Sequence, residues 1–472
     1  MNSGIVYIKQ FTITMLNRPA EIFVLLALIF GSIFIFRLAP LNGTDEFTHF
    51  PRVYQISQGI FFEQRLPGNQ YGGYLPANIN NMINDYRNLS RESPGSGYNS
   101  DTKSLNNHYD QITVVGHNKE QAIFTSVVMY PPWAYSAPLI GLLVAKFLSL
   151  PLLWYVFMAR ISALLIWIFL TWLAIRTIPE GKWFILALAL LPTTLTQAAT
   201  VSADGLLIGL SWLLIALSFA AIAGKVKLSW PKLILISALS LGVSIIKDGY
   251  FLVGLFPLVI PLSRFASKST GKLWKIITFL VTTSGMLLFT IRTAGSVSGL
   301  ELNPTVGMYM NSTKQISYIS HHLVLFLLRV VWQPFTKSFD TTYLGIVGIF
   351  TNRLIYLSIF IISLLVFGLY LGLINTNSIK SLIHVRYRLW IFGAIIFLGT
   401  YILLATAFYI GNTAVGAQYV NGFYGRYFLP IIPLFLILPM TIKRKQIARL
   451  SYKVAIVSIC LIGLISTITS IG

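Results

Sequence analysis

Two adjacent carboxylates, an imidazole and a guanidinium lie close together directly after the first long apolar run of the chain. The run covers residues 21–38, and Asp45, Glu46, His49 and Arg52 follow it. A carboxylate can act as a general base, a general acid or a metal ligand. If this segment is helical, residues three or four positions apart share one face. Charged residues also anchor the ends of membrane spans, so the motif is either a reactive site or a solvated helix end.

The composition of the 472 residues is that of a polytopic membrane protein. Hydrophobic residues make up 55% of the chain, charged residues only 10%, and the mean hydropathy is +0.73, whereas soluble proteins contain about 25% charged residues. The single cysteine, Cys460, excludes an internal disulfide. We predict an all-α integral membrane protein that forms one domain over residues 1–472.

The net charge of +21 follows membrane topology rather than nucleic-acid binding. The polar segment 41–130 contains eight acidic and six basic residues, whereas the rest of the chain contains 29 basic and six acidic residues. Most of this positive charge lies in short links between apolar runs, as the positive-inside rule requires. We expect no nucleic-acid partner, and we place segment 41–130 outside the cytoplasmic membrane as a large first loop with an irregular region at 90–107.

Basic links assigned to the cytoplasm set the rest of the predicted topology. They lie at the N-terminus and at 225–232, 268–275, 380–388 and 443–449. The apolar runs between them form the pairs 205–223 with 231–246, 248–263 with 273–293, 350–374 with 388–410, and 426–441 with 452–470. This places the segment 294–345 outside as a second extracytoplasmic segment, and its apolar stretch 317–335 is a candidate interfacial helix.

Residues 131–203 must cross the membrane an even number of times, because Asp45 before them and Asp204 after them are both predicted to lie outside. They contain three apolar runs, however. The runs are 134–149, 152–175 and 183–200. The first is the shortest and contains Pro131, Pro132 and Pro138 at or near its start, so we predict that it is re-entrant or interfacial. About 11 transmembrane helices result, with the N-terminus in the cytoplasm and the C-terminus outside.

Further ionisable residues recur at the predicted outer ends of the spans. They are Asp204, Lys247, Arg292 and Arg426. Such groups near membrane depth are costly and usually face a cavity or a partner. A local turn or an interfacial anchor is the simpler explanation for Lys247 and Arg292.

No metal site and no cofactor is predicted, although the sequence leaves metal dependence open. His321 and His322 have no cysteine or carboxylate at ligand spacing. A carboxylate opposite cations instead suits group transfer from a phosphate leaving group. The carboxylate takes the proton of an attacking hydroxyl, and the cations hold the charge that develops on the phosphate.

The motifs resemble those of the GT-C superfamily of membrane glycosyltransferases, which use polyprenyl-phosphate-linked donors. The chain is more closely similar to a family of bacterial polytopic proteins of largely undefined function that is usually classed with GT-C. The similarity lies in residues 45–52 with Gly59, 130–132, 191–192, 202–204, Lys247, 416–418 and 425–430. Six residues, 419–424, separate Gln418 from Gly425 here, whereas the corresponding family elements are nearly contiguous.

The resemblance implies a GT-C-like fold and roles for particular residues. Asp45 would be the catalytic base, with Glu46 as the second choice. Arg426 would bind the donor phosphate with help from Lys247 or Arg292. The substrate-binding candidates are His49, Arg52, Asp204, Gln418 and Tyr427.

The same resemblance implies an extracytoplasmic active site with a polyprenyl-phosphate-linked sugar as donor. A glycan or lipid-linked glycan would be the acceptor, and membrane lipid would surround the protein. The alternatives are a transporter or flippase of a lipid-linked glycan, a glycan polymerase, and a non-catalytic scaffold of glycan assembly. A flippase needs charged groups throughout the membrane depth, whereas most candidates here lie at one end of the spans.

Overall fold

The structure, a computed structural model, is mostly helical. It describes residues 14–62, 64–67, 70–92, 100–127, 130–297, 302–303, 308–309, 311–333, 346, 358–442 and 450–470. Its helices are α1 Pro19–Arg37, α2 Glu46–Ser57, α3 Ala77–Glu92, α4 Ser100–Asp110, α5 Ser136–Phe147, α6 Leu152–Thr177, α7 Lys182–Ala189, α8 Pro192–Ala198, α9 Asp204–Ala223, α10 Trp230–Ile246, α11 Phe251–Gly254, α12 Lys268–Val297, α13 Ser312–His321, α14 Leu323–Trp332, α15 Ile359–Ile374, α16 Lys380–His384, α17 Arg386–Asn412, α18 Ile437–Thr441 and α19 Leu450–Ser470.

Five helices of the described part are long and apolar enough to cross a membrane, namely α1, α6, α9, α17 and α19. Shorter apolar helices accompany them, including α10, α14 and most of α15. Helix α9 lies at the centre, since 83% of its most apolar stretch is buried. Helix α6 packs against α1, α5 and α9. This is a membrane protein, and the count of 11 spans stays a prediction.

Three apolar runs that were predicted as spans are not single helices. Residues 183–200 form α7 and α8, which are separated at Leu190 and Leu191 before Pro192. Residues 248–263 and 426–441 consist mainly of 3-10 turns with a few short helical turns. Proline at five positions in these two runs removes backbone donors. Irregular backbone at membrane depth requires partners within the protein, and both runs pack against other helices.

The polar segment 41–130 corrects two further predictions. It contains an antiparallel sheet of β1 Gln64–Leu66, β2 Gln70–Pro76 and β3 Lys119–Ile123, so the protein is not all-α. Gly73 pairs with Ala122, and the amide of Gln55 on α2 donates to Gly72 O at 2.9 Å. Within the predicted irregular region 90–107, residues 90–92 end α3 and residues 100–107 belong to α4.

Helix α5 has the short length expected of a re-entrant or interfacial segment. Its 12 residues extend about 18 Å, well below the roughly 30 Å of a bilayer core. Its outer side is apolar, since Phe147 and Ile140 are exposed. The predicted interfacial stretch 317–335 contains α14 and the second half of α13, separated at His322. The predicted link 443–449 and most of 334–357 lie outside the described residues.

Candidate functional site

Four charged residues that are far apart in the sequence meet at one end of the helical bundle. Asp45 follows the end of α1, Asp204 begins α9, Lys247 follows the end of α10, and Arg426 lies in the 3-10 turn Gly425–Phe428. At Asp45, Asp204 and Lys247 the chain enters or leaves an α-helix. The four charged residues are among the six ionisable residues that the sequence predicts at the outer face; the other two are Glu46 and Arg292.

Asp45 and Arg426 form the more exposed of two ion pairs. Arg426 Nη2 donates to Asp45 Oδ2 at 2.8 Å, and the side chains of Asp45 and Arg426 are 41% and 12% exposed. Asp45 has a left-handed backbone with φ 56°, and its carbonyl accepts the first helical bond of α2 from the His49 N–H at 3.1 Å. The Thr48 hydroxyl donates to the same carbonyl at 2.7 Å. The carboxylate therefore reaches both solvent and a guanidinium.

Asp204 and Lys247 form the second ion pair, with 3.6 Å between Oδ1 and Nζ. Lys247 Nζ lies 4.3 Å from the centroid of the Tyr427 ring and 5.4 Å from that of Tyr130. Arg426 Cζ lies 5.0 Å from the same Tyr427 ring, and its Nη2 donates to the Tyr427 hydroxyl at 3.1 Å. Tyr427 thus joins the two cations into one cluster.

His49 lies beside this cluster as a buried residue. Its Nδ1 and the Tyr135 hydroxyl are hydrogen-bonded at 2.8 Å, and its ring stacks on Tyr130. Burial lowers the pKa of His49 to about 4, although the nearby carboxylates of Asp45 and Asp204 oppose this change. His49 is therefore neutral at pH 7, which suits a hydrogen-bonding role.

A small cavity lies among Asp204, Tyr250, Arg426 and Tyr427, lined also by Gln197. It offers about 10 Å³ for the centre of a water molecule, which is roughly the minimum that one water requires. Arg426 Nε is buried and has no hydrogen-bond partner among the described residues. The cavity is too small for a sugar.

Glu46 lies apart from the cluster although it adjoins Asp45 in sequence. It is fully buried in a two-bond ion pair with Arg160 from the middle of α6, at 2.8 and 2.5 Å. It also accepts the N–H groups of Gly43 at 3.0 Å and Val201 at 2.8 Å. With its oxygens occupied in this way, the carboxylate has no surface for a substrate.

The described hydrogen bonds of Arg52 and of the loop that carries Gln418 are with other groups. Arg52 is buried and donates to Gln55 and to the carbonyl of Phe61. Gln418 is exposed, in the loop whose Ala417 carbonyl is bound by Arg329 at 3.1 Å. The backbone of Arg292 lies in α12, and its side chain is outside the described structure.

Several residues near the site were not found from the sequence. Tyr250 is buried and donates to the Tyr427 carbonyl at 2.6 Å, which holds the irregular segment of Arg426 in place. Gln197 lines the cavity and donates to the Thr44 hydroxyl at 3.1 Å. Arg160 was detectable, because an arginine in the middle of an apolar span requires a partner. No group of three or more His, Cys, Asp or Glu side chains among the described residues is placed to hold a metal ion.

The comparisons with known proteins identify the family. Residues 28–435 match the family described as "Predicted membrane protein (DUF2142)". The chain belongs to this family. None of the curated proteins and none of the solved structures that were compared matches the chain. The matched range includes Asp45, Asp204, Lys247 and Arg426, so the whole cluster lies within the family region.

Proposed function

We propose that this protein is a GT-C-type glycosyltransferase. It moves a sugar from a polyprenyl-phosphate-linked donor to an acceptor hydroxyl on a cell-surface glycan, at the outer face of the cytoplasmic membrane. The observation that carries the proposal is the pair of Asp45 and Arg426, in which the carboxylate is 41% exposed and the guanidinium only 12%. An accessible base beside a partly buried cation suits a reaction with an anionic leaving group.

The proposed reaction is a displacement at the anomeric carbon. The acceptor oxygen forms a bond to this carbon while its proton moves to Asp45. The bond between the carbon and the phosphate oxygen breaks, and polyprenyl phosphate leaves with the electron pair. Arg426 and Lys247 stabilise the phosphate charge, and Asp204 holds Lys247 at 3.6 Å. A single displacement of this kind inverts the anomeric carbon.

Asp45 is the base in this proposal rather than Glu46. A general base must come within hydrogen-bond distance of the proton it removes. Glu46 is fully buried against Arg160, whereas Asp45 is exposed. His49, which is neutral and close to Asp45 and Asp204, and Tyr427 are retained as substrate-binding residues.

The pair of Asp45 and Arg426 must loosen before Asp45 can act. Asp45 Oδ2 accepts from Arg426 at 2.8 Å, so this oxygen is not free to take the proton of an acceptor hydroxyl. The donor phosphate competes for the same guanidinium, whose Nε has no partner in the described structure. Donor binding would therefore release the base only when a leaving group is in place.

The experiment compares wild type with Asp45→Asn in membranes that receive radiolabelled polyprenyl-phosphate sugars. We expect transfer of label to glycan by wild type and a loss of at least 100-fold in the variant, the lower end of the usual contribution of a general base. The matched control is Asp110→Asn, because Asp110 is an exposed carboxylate that binds Trp154 Nε1 outside the cluster. Equal transfer by wild type and Asp45→Asn at equal abundance refutes the assignment of the base.

The scaffold alternative fits the fact that both cations are already paired within the protein. It requires that Asp45→Asn leave the amount and composition of glycan unchanged. The flippase alternative requires movement of a lipid-linked glycan between leaflets without transfer. An assay in proteoliposomes with such a lipid separates flipping from transfer.

A further inference from the structure

A fully buried ion pair lies next to the candidate site and takes no part in the proposed chemistry. It joins Arg160, from the middle of the apolar helix α6, to Glu46, the first residue of α2. Nε and Nη2 of Arg160 donate to the two carboxylate oxygens at 2.8 and 2.5 Å. Two such bonds fix the plane and direction of the carboxylate as well as its position.

The same guanidinium holds the chain that leaves α1. Nη1 donates to the carbonyls of Ile35 and Leu38 at 2.8 Å each, and Nη2 donates to that of Ala39 at 2.9 Å. The last carbonyls of a helix have no partners within the helix. Arg160 thereby fixes the point at which the turn 38–45 begins.

The other two hydrogen bonds of Glu46 reach the two backbone segments that carry Asp45 and Asp204. Oε2 accepts the N–H of Gly43, which lies two residues before Asp45. Oε1 accepts the N–H of Val201, three residues before Asp204. One buried carboxylate therefore contacts both the turn that carries Asp45 and the segment that leads to Asp204.

The turn itself requires such support. Leu41 and Asp45 both have left-handed backbones, with φ of 60° and 56°, a conformation that is unfavourable for residues other than glycine. Gly43 lies between them, and a Cβ there would come within 2.4 Å of Thr200 Cγ2. The turn therefore packs directly against Thr200, and the next residue, Val201, donates its N–H to Glu46.

We infer that Arg160 and Glu46 are positioning residues that hold Asp45 in the orientation that faces Arg426. A buried ion pair is a poor source of stability, since apolar residues of similar volume often stabilise a protein as well or better. The need to fix the geometry of the turn that carries Asp45, rather than a gain in stability, explains why two charges are buried here. This inference concerns how the site is built and goes beyond the proposed reaction.

The test measures the side chain at position 45 without any substrate. Asp45→Cys is made in a Cys460→Ala background, so that the new thiol is the single cysteine of the chain. Its pKa is obtained from the rate of alkylation as a function of pH in detergent-solubilised protein. A thiol beside a guanidinium has a pKa below the ordinary value of about 8.5. We expect a pKa about one unit lower than in the same protein with Arg426→Gln.

Arg160→Met in the Asp45→Cys protein should raise the thiol pKa to the value found with Arg426→Gln, because the turn no longer aims the side chain at Arg426. The control is Arg264→Met. Arg264 donates to the carbonyls of Ala221 and Val226 at 2.8 and 2.5 Å, at the far end of α9, so this variant loses comparable bonds but should keep the low thiol pKa.

A second variant, Glu46→Gln, covers the possibility that Arg160→Met does not fold. It keeps the size of the side chain but removes the charge that Arg160 holds, and it should also raise the thiol pKa. A folded Arg160→Met or Glu46→Gln protein that keeps the low thiol pKa would overturn the inference. An equal thiol pKa with and without Arg426 would overturn it as well. Neither result depends on glycosyl transfer, so failure here is distinct from failure of the proposed function.

Discussion

Replacing Asp45 by Asn should strengthen the binding of a lipid phosphate while it abolishes transfer. In the resting protein the guanidinium of Arg426 is shared with Asp45 at 2.8 Å. A phosphate that binds Arg426 must displace this carboxylate. With a neutral amide at position 45 the displacement costs less, so the affinity for the phosphate rises.

The size of the effect follows from the exposure of the two partners. Ion pairs at the surface contribute about 0.2–1 kcal/mol, and hydrogen bonds to charged groups contribute about 1.5–3 kcal/mol. Arg426 is 12% exposed and Asp45 41%, so an intermediate value of about 1–2 kcal/mol applies. Since 1.4 kcal/mol corresponds to a factor of ten, binding should tighten roughly 5- to 30-fold.

The assay is binding of geranylgeranyl monophosphate to purified protein in nanodiscs, followed by titration calorimetry. Wild type, Asp45→Asn, Arg426→Gln and the double variant are compared. Arg426→Gln should weaken binding, and the double variant should bind no better than Arg426→Gln. Geranylgeraniol, which lacks the phosphate, should bind all four proteins equally.

The opposite signs of the two single variants are the decisive result. If Asp45 acts only as the base, Asp45→Asn changes transfer but leaves the affinity for the phosphate unchanged. Equal or weaker binding by Asp45→Asn would therefore refute competition between the carboxylate and the phosphate for Arg426. Weaker binding by Arg426→Gln alone would still place the phosphate at the guanidinium.

Two further predictions concern stability. Because burial lowers the pKa of His49 to about 4, the unfolded chain binds a proton there below about pH 6.5 while the folded protein does not. His49 therefore lowers stability progressively between pH 6.5 and 4, by about 3 kcal/mol in total, and His49→Gln should show a smaller fall in thermal midpoint over this range. Gly43→Ala should destabilise the protein by about 1–3 kcal/mol, measured as a lower midpoint at pH 7, since its Cβ would lie 2.4 Å from Thr200 Cγ2.

Each of these variants has a matched control in the same chain. His321 is exposed, so His321→Gln should leave the pH dependence of the midpoint unchanged. Gly411 lies in α17 with nothing within 4 Å of a built Cβ, so Gly411→Ala should be neutral or slightly stabilising. A wild-type pH dependence in His49→Gln, or equal midpoints for the two glycine variants, would contradict the reasoning.

The sequence by itself determined the class of protein and much of the charged cluster. In a chain with only 10% charged residues, each charge at the end of an apolar run requires a reason, and successive spans return the chain to the same face of the membrane. The sequence therefore predicted one group on the same face, consisting of Asp45, Glu46, Asp204, Lys247, Arg292 and Arg426. The structure joins four of them, namely Asp45, Asp204, Lys247 and Arg426.

Only the tertiary structure shows that the two adjacent carboxylates lie in different surroundings. Asp45 and Glu46 have the same chemistry and neighbouring positions, so local sequence does not separate them. The left-handed backbone at Asp45 and the buried guanidinium of Arg160 send them to different surroundings. These surroundings are made by segments more than 100 residues apart, and no local pattern records which segments will meet.

The backbone conformation of the irregular apolar runs is likewise determined by packing. Hydropathy reports that residues 248–263 and 426–441 avoid water, but a buried 3-10 turn and a buried helix have similar hydropathy. Their conformation depends on which partners satisfy their backbone groups. Two of these partners, the Tyr250 hydroxyl and the Trp212 indole, bind the carbonyls of Tyr427 and Leu429 at 2.6 and 2.8 Å. Only the folded chain brings these groups within hydrogen-bond distance, and the position of Arg426 depends on them.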